Sequence, residues 1–354
     1  MSWHAVDAID DAVEVTRRFL FPFSLVRWTI LALLVLLMGG TVNTNISVPF
    51  VPEAEFTLFP DGVVPAELAS DVDTGMLLGV VALVTVLGVA VSVATLSVRL
   101  VFYDALRTNE VRVWGPFVAR LRQALGLFVV STAVGAVVLL PLLVGVVTFT
   151  TVGWKPADAL GNTVAGLPNW GVGILLVLGG VLTLVALLAL RFTYEFVVPV
   201  MVHRDVGVVA AWRRFGVTLR RSWTAFLLYL VIHFFIGLAV SIAEAVVFVF
   251  AGGVIVVFAG IAVLLLGGVL GGLGAVTSTT AGGVAVALVV GVALLALLFV
   301  FAPVRLVTRT YLIAYEVSTL ARIDPDLSLL ASGVDPTVAP DGRPDNDAEL
   351  IEDR

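Results

Sequence analysis

From Trp223 to Phe301 the chain is apolar except for His233, Glu244 and a few hydroxyl-bearing residues. No water-soluble core absorbs a run of that length. A helix needs about 20 apolar residues to cross the hydrocarbon of a bilayer. Runs of the same character recur at 25–40, 75–102, 124–150 and 171–198. Only 13% of residues are charged, against about 25% in soluble domains. Lipid is the solvent that lets so much apolar surface face outward. The sequence therefore predicts an all-α fold: a polytopic helical membrane bundle of about six transmembrane helices, arranged as three hairpins with cytoplasmic amphipathic helices.

The membrane domain is expected over 1–322, its last spans at 223–250 and 282–303, with 251–281 as a re-entrant or extra segment. Gly252-Gly253 and the run Gly267 to Gly283 are the natural breaks there, because glycine punctuates helices. Pro199 is expected to end the fourth span, and Pro141 to kink the third. Residues 323–354 read as an acidic, disordered cytoplasmic tail, since 324–354 hold nine acids and two arginines. Arginines cluster at 99–122, 191–221 and 304–322, and at Arg17, Arg18 and Arg27, whereas loop 41–74 has no basic residue and loop 151–170 only Lys155. The positive-inside rule then puts both termini in the cytoplasm of a multi-pass cell-membrane protein and requires an even number of spans. Seven spans would place Arg305 and Arg309 outside. Asp7, Asp10, Asp11 and Glu14 precede the first apolar run, which argues against a signal peptide.

Two stretches carry helical periodicity with a polar face. In residues 3–19, Ala5, Ala8, Ala12, Val15 and Phe19 gather on one side, opposite Asp7, Asp10, Asp11, Glu14 and Arg18. In 204–221, Val208, Trp212, Phe215 and Leu219 fall in one arc, opposite Arg213, Arg214, Arg220 and Arg221. Such a helix lies in the headgroup layer, apolar face down, with Trp212 and the four arginines as candidate contacts for anionic lipid headgroups. The same segment belongs to an internal match at a constant offset of 98: Trp114 with Trp212, Phe117 with Phe215, Leu121-Arg122 with Leu219-Arg220, and Phe128 with Phe226. An arginine, an aromatic and an acid recur at the ends of three spans, as Arg99/Tyr103-Asp104, Arg191/Tyr194-Glu195 and Arg309/Tyr315-Glu316. Interface chemistry accounts for that cluster equally well.

His233 and Glu244 are the ionisable groups set well inside apolar sequence, and Tyr229, Gly237 and Ser241 share their helical face. At 1.5 Å per residue, His233 lies about 15 Å from the cytoplasmic end of its span. Tyr229, His233, Ser241 and Glu244 are thus a candidate intramembrane polar face, read as a proton or cation path. The plainer alternative is a neutral histidine bonded between helices, with Glu244 near the outer interface or at a helix break. No second carboxylate is evident in a neighbouring span. Enzyme templates fail: there is no cysteine, HExxH, Walker A or GxSxG. No catalytic residue, metal site or cofactor is expected, and no nucleic acid, since the arginines flank membrane spans.

FVVPVMVHRDVGVVAAWRRFGVTLRRSWTAFLLYL at 196–230 resembles the membrane domain associated with glycerophosphoryl diester phosphodiesterases, through Pro199, Asp205, Gly207, Ala211-Trp212 and Leu219. With AIDDAVEVTRRFLFPF and FYDALRTNEVRVWGPF, the whole chain is similar to an uncharacterised family of haloarchaeal polytopic membrane proteins. An acidic, arginine-over-lysine, cysteine-free composition suits a salt-adapted archaeon. Neither likeness supplies catalytic residues. The leading expectation is a non-enzymatic scaffold or accessory component that organises lipids or an unknown membrane partner. The alternative is a small-ion or solute transporter using His233 and Glu244.

Overall fold

The computed structural model describes residues 4–38, 74–149, 155–331 and 334–335. The acidic first loop and the distal tail lie outside the described residues. Every regular element among those described is helical. In order they are α1 (His4–Leu20), α2 (Leu25–Met38), α3 (Thr74–Thr108), α4 (Trp114–Phe149), α5 (Lys155–Ala165) and α6 (Asn169–Phe192). A π-helical turn (Thr193–Val197) leads into α7 (Val198–Arg204), followed by α8 (Val208–Arg221) and α9 (Trp223–Val247). A second π turn (Phe248–Gly252) leads into α10 (Gly253–Leu270), then α11 (Leu273–Ser278), α12 (Thr280–Ile323) and a 3₁₀ turn (Pro325–Leu327).

Among the described residues, five helical runs are long and apolar enough to cross a membrane: Leu78–Thr108, Trp114–Val146, Asn169–Arg204, Trp223–Leu270 and Thr280–Ile323. The apolar helix α2, at 14 residues, falls short of that length, so the six spans expected from the sequence are matched by five long helices and one short one. Leu176, Phe258 and Phe299 are 69%, 67% and 82% exposed on these helices. In water each such side chain would forgo about 1.5–3 kcal/mol of burial. Against acyl chains nothing is forgone, so the arrangement is that of a polytopic membrane protein.

Two points of the helix pattern depart from the sequence expectation. The fourth span does not stop at Pro199 but continues to Arg204. Pro199 has no N–H for the Glu195 carbonyl, and its ring crowds that position. The π turn relieves the crowding by widening the helix, with the Val198 N–H reaching back to the Thr193 carbonyl. Gly252-Gly253, in turn, breaks nothing: residues 223–270 form one helical run through the second π turn. The chain turns instead at Gly271 and Gly272, whose φ values of 88° and 128° suit only glycine. A Cβ on Gly282 would collide with the Val276 carbonyl, so the α11–α12 corner also depends on a bare backbone.

The described residues fall into two compact units, one drawn from 1–83, 224–319 and 332–354, the other from 84–223 and 320–331. In the first, α1 buries Ala5, Ala8, Ala12, Val15 and Phe19, the face that its periodicity predicts. The Tyr315 hydroxyl of α12 donates to the Ala5 carbonyl at 3.1 Å, and Arg18 donates to the Asp335 carbonyl at 2.8 Å.

In the second unit, Arg120 is nearly buried and meets Asp104 at 2.9 Å and Asp205 at 2.7 Å. Gln123 also donates to Asp205, at 3.0 Å. Asp205 holds the left-handed conformation (φ 52°) that caps α7, which a short polar side chain tolerates. One guanidinium thus pins the end of α3, the start of α4 and the α7–α8 corner. The tail begins as packed chain, correcting its expected disorder: Leu327 and Leu329 are buried, Thr218 donates to Asp324 at 2.6 Å, and Arg204 donates to the Asp326 carbonyl at 2.6 Å.

Candidate functional site

The polar groups of the first unit line the seam between α9 and α12. Successive contacts climb α9 while descending α12: Tyr229 on Tyr315, Glu244 on Thr308, then Phe248 on Phe301 in the following π turn. The two helices are therefore antiparallel neighbours, and residues far apart in sequence meet at one level.

At the packed end of the seam, Tyr229 and Tyr315 are fully buried and their rings stack at 5.5 Å with planes 15° apart. The Tyr229 hydroxyl and His233 Nδ1 are hydrogen-bonded at 2.8 Å. That contact follows from the i, i+4 spacing on one helix. His233 is 4% exposed and Glu316 is 6% exposed, and their ligating side-chain atoms lie within 4.8 Å of one another. An imidazole and a carboxylate within that reach can exchange a proton directly on closer approach or through one water, or hold a cation between them.

This corrects the expectation that no second carboxylate faces His233. Glu316 lies 83 residues further along the chain, and only the antiparallel pairing of α9 with α12 brings it there. The signal was present in the Arg309/Tyr315-Glu316 pattern, which composition alone placed at an interface. The fold buries its acids instead: Glu195 of the second unit is also only 5% exposed, accepting from Arg191 Nε at 2.9 Å.

Glu244 shares the face of His233, but not its partners. Its Oε1 accepts from the Thr308 hydroxyl at 2.5 Å, about 16 Å up the helix axis from His233 at 1.5 Å per residue. Ser241 is half-buried and makes no hydrogen bond among the described residues. Of the four residues expected on this face, Tyr229 and His233 come together, Glu244 forms a separate centre, and Ser241 joins neither.

The other predicted set lies on α8, in the second unit. Val208, Ala211, Phe215 and Thr218 are its buried face, rotated by about 50° from the expected arc at 3.6 residues per turn. That face does not rest on lipid headgroups. Phe215 stacks on Phe196 at 5.4 Å and meets Phe192 edge-on at 6.0 Å, while the Trp212 indole donates to the Thr193 hydroxyl at 3.0 Å. The helix is docked on its own unit. Arg213, Arg214, Arg220 and Arg221 remain exposed, without an ion pair among the described residues. Arg99 lies 4.8 Å above the Tyr194 ring, a contact between spans that sequence reading did not anticipate.

A family of unknown function, DUF7544, has a model that matches residues 3–330. No curated protein and no solved structure matches the chain.

Proposed function

We propose that this chain, which belongs to DUF7544, a family of unknown function, is a multi-pass membrane protein that passes protons through a relay of Tyr229, His233 and Glu316. The observation that carries the reading is the meeting of His233 with Glu316 in a buried, apolar seam. Ionisable groups at bilayer depth are expensive to keep and are by default candidates for a functional site. A histidine changes charge near neutral pH, and its two nitrogens let it take a proton on one side and release it on the other. Tyr229 on Nδ1 fixes which nitrogen is engaged within its own helix. The reading treats the chain as a transporter rather than an enzyme, with both termini in the cytoplasm.

Proton flux into liposomes holding the purified protein tests it. Flux is expected from the native chain and is expected to vanish in His233→Ala and Glu316→Gln variants that retain native thermal stability. A folded native chain that passes no protons across a range of pH and salt would sink the idea.

A second reading, an accessory or scaffold role, is supported by the exposed arginines of α8. Four guanidiniums on one outward face suit phosphate headgroups, which they bind in bidentate fashion. If that reading holds, replacing Arg213, Arg214, Arg220 and Arg221 by Gln strips co-purifying anionic lipid and leaves proton flux unchanged.

A further inference from the structure

We infer that Glu244 and Thr308 form a sodium-binding site in the first unit, apart from the His233–Glu316 pair. The carboxylate Oε1 and the hydroxyl Oγ1 are 2.5 Å apart, and Oγ1 is 3.3 Å from the Arg305 carbonyl. A hydroxyl has one proton and cannot donate fully to both oxygens. The Thr308 hydroxyl thus bridges a carboxylate and a carbonyl, a row of three hard oxygens that carries a single negative charge. Oxygen-only donors disfavour transition metals, and one carboxylate balances a monovalent rather than a divalent ion.

Beginning about one turn beyond the site, the backbone is irregular on both helices. Four residues beyond Glu244, the run that α9 begins passes into the π turn Phe248–Gly252. On the facing helix Pro303 offers no N–H to the Phe299 carbonyl. The two irregularities lie at one level, since Phe248 meets Phe301 at 5.0 Å and a Cβ on Gly252 would touch Leu297 at 3.7 Å. A π turn inside a long helix tends to mark a functional position. Transporters build sodium sites where the hydrogen-bond ladder of a membrane helix is disturbed, and here the ladder is disturbed next along from the carboxylate although both helices stay continuous. Glu244 is half-buried, with Ile242 and Val246 exposed beside it, so an apolar reagent dissolved in lipid reaches it. The site adds an ion to the transport reading and rests on that reading only for its physiological meaning. Occupancy is measurable without flux.

The test is labelling of the full chain in sodium-free liposomes with N,N′-dicyclohexylcarbodiimide. The carboxyl oxygen bonds to the carbodiimide carbon while the acid proton passes to a nitrogen. An oxygen-to-nitrogen acyl shift then leaves a stable N-acylurea. Nothing departs, so the chain gains the mass of one whole reagent molecule. The adduct is expected on Glu244 and is expected to be absent in Glu244→Gln. Sodium at ten times its dissociation constant should slow labelling about tenfold, because only the empty site reacts. Choline chloride at equal ionic strength should not. Thr308→Val should keep the adduct and lose the protection. His233→Ala, which removes the relay, should keep both, so failure of the relay and failure of this site are separable. No adduct on Glu244 in the folded chain, or equal slowing by sodium and choline, would overturn the inference.

Discussion

The stretches 114–128 and 212–226 match at Trp, Phe, Leu-Arg and Phe, yet they fold differently. In the first, Trp114 is 77% exposed and stacks on Phe117 at 6.1 Å. The helix that starts there runs unbroken to Phe149. In the second, Trp212 bonds to Thr193, Phe215 is fully buried, and the helix stops at Arg221 before another begins at Trp223. The shared aromatics do not decide the outcome, whereas the partners beneath them do. Phe192 and Phe196 wait under Phe215. The matching position of the first stretch, Phe117, is half-buried and has its own Trp114 as its stacking partner. What the two stretches share is a buried polar residue that captures an acid, Arg120 in one and Thr218 at the equivalent place in the other.

The largest expected effect breaks the first capture. Arg120→Ala leaves the largely buried Asp104 with only Arg107 at 4.0 Å, and leaves the Asp205 side chain with only Gln123. Removing one partner of a buried ion pair costs about 3–5 kcal/mol. Thermal unfolding in detergent should show that loss, together with faster amide exchange over residues 204–208. An unchanged transition would mean that the corner is held by Arg107, which donates to the Val202 carbonyl at 2.8 Å.

The aromatic contrast ranks next. Phe215→Ala opens a cavity against Phe192 and Phe196, worth about 3 kcal/mol for a large buried ring. Phe117→Ala, half-exposed already, should cost less than about 1 kcal/mol by lost area. Equal losses from the two variants would show that the stretches are equivalent after all. Thr218→Val follows, at about 1.5 kcal/mol for one hydrogen bond to a charged group. It should loosen residues 324–331 in amide exchange and leave the Asp205 corner untouched.

These contrasts also show where sequence suffices. The buried face of α1, from Ala5 to Phe19, follows from periodicity because the pattern that defines it lies on one helix, whatever packs against it. The apolar spans follow from hydropathy for the same reason. The His233–Glu316 meeting does not, since it depends on which helix lies beside α9 and in which register. Glu244–Thr308 was half-legible: the carboxylate stood out in apolar sequence, but a threonine among many hydroxyls did not. The π turn before Pro199 was missed because proline was taken as a stop, whereas one extra residue in the preceding turn lets the helix pass. Gly252-Gly253 misled in the opposite sense, since glycine permits a turn without imposing one. Gly271 and Gly272 turn because both take positive φ.

The smallest expected effect concerns the break itself. Ser222 is the equivalent of Ala124, and it alone separates α8 from α9, with φ −124° and ψ 34°. Alanine is the best helix former, and serine is worse by about 0.5 kcal/mol. Ser222→Ala therefore removes a local reason for the break that the first stretch lacks. The docking of Phe215 and Trp212 opposes fusion, because a continuous helix would carry α8 off the faces of Phe196 and Thr193. Phe→Ala-sized contacts of about 3 kcal/mol outweigh a propensity gain of about 0.5 kcal/mol. The variant should keep the break and change stability by no more than that gain, with the Ser222 region still exchanging faster than its flanks. Combined with Phe215→Ala, the balance reverses, and protection across residues 218–226 should rise to that of a continuous helix. Fusion in the single variant would mean that the second stretch differs from the first by that one residue, and that the aromatic contacts contribute little to the corner.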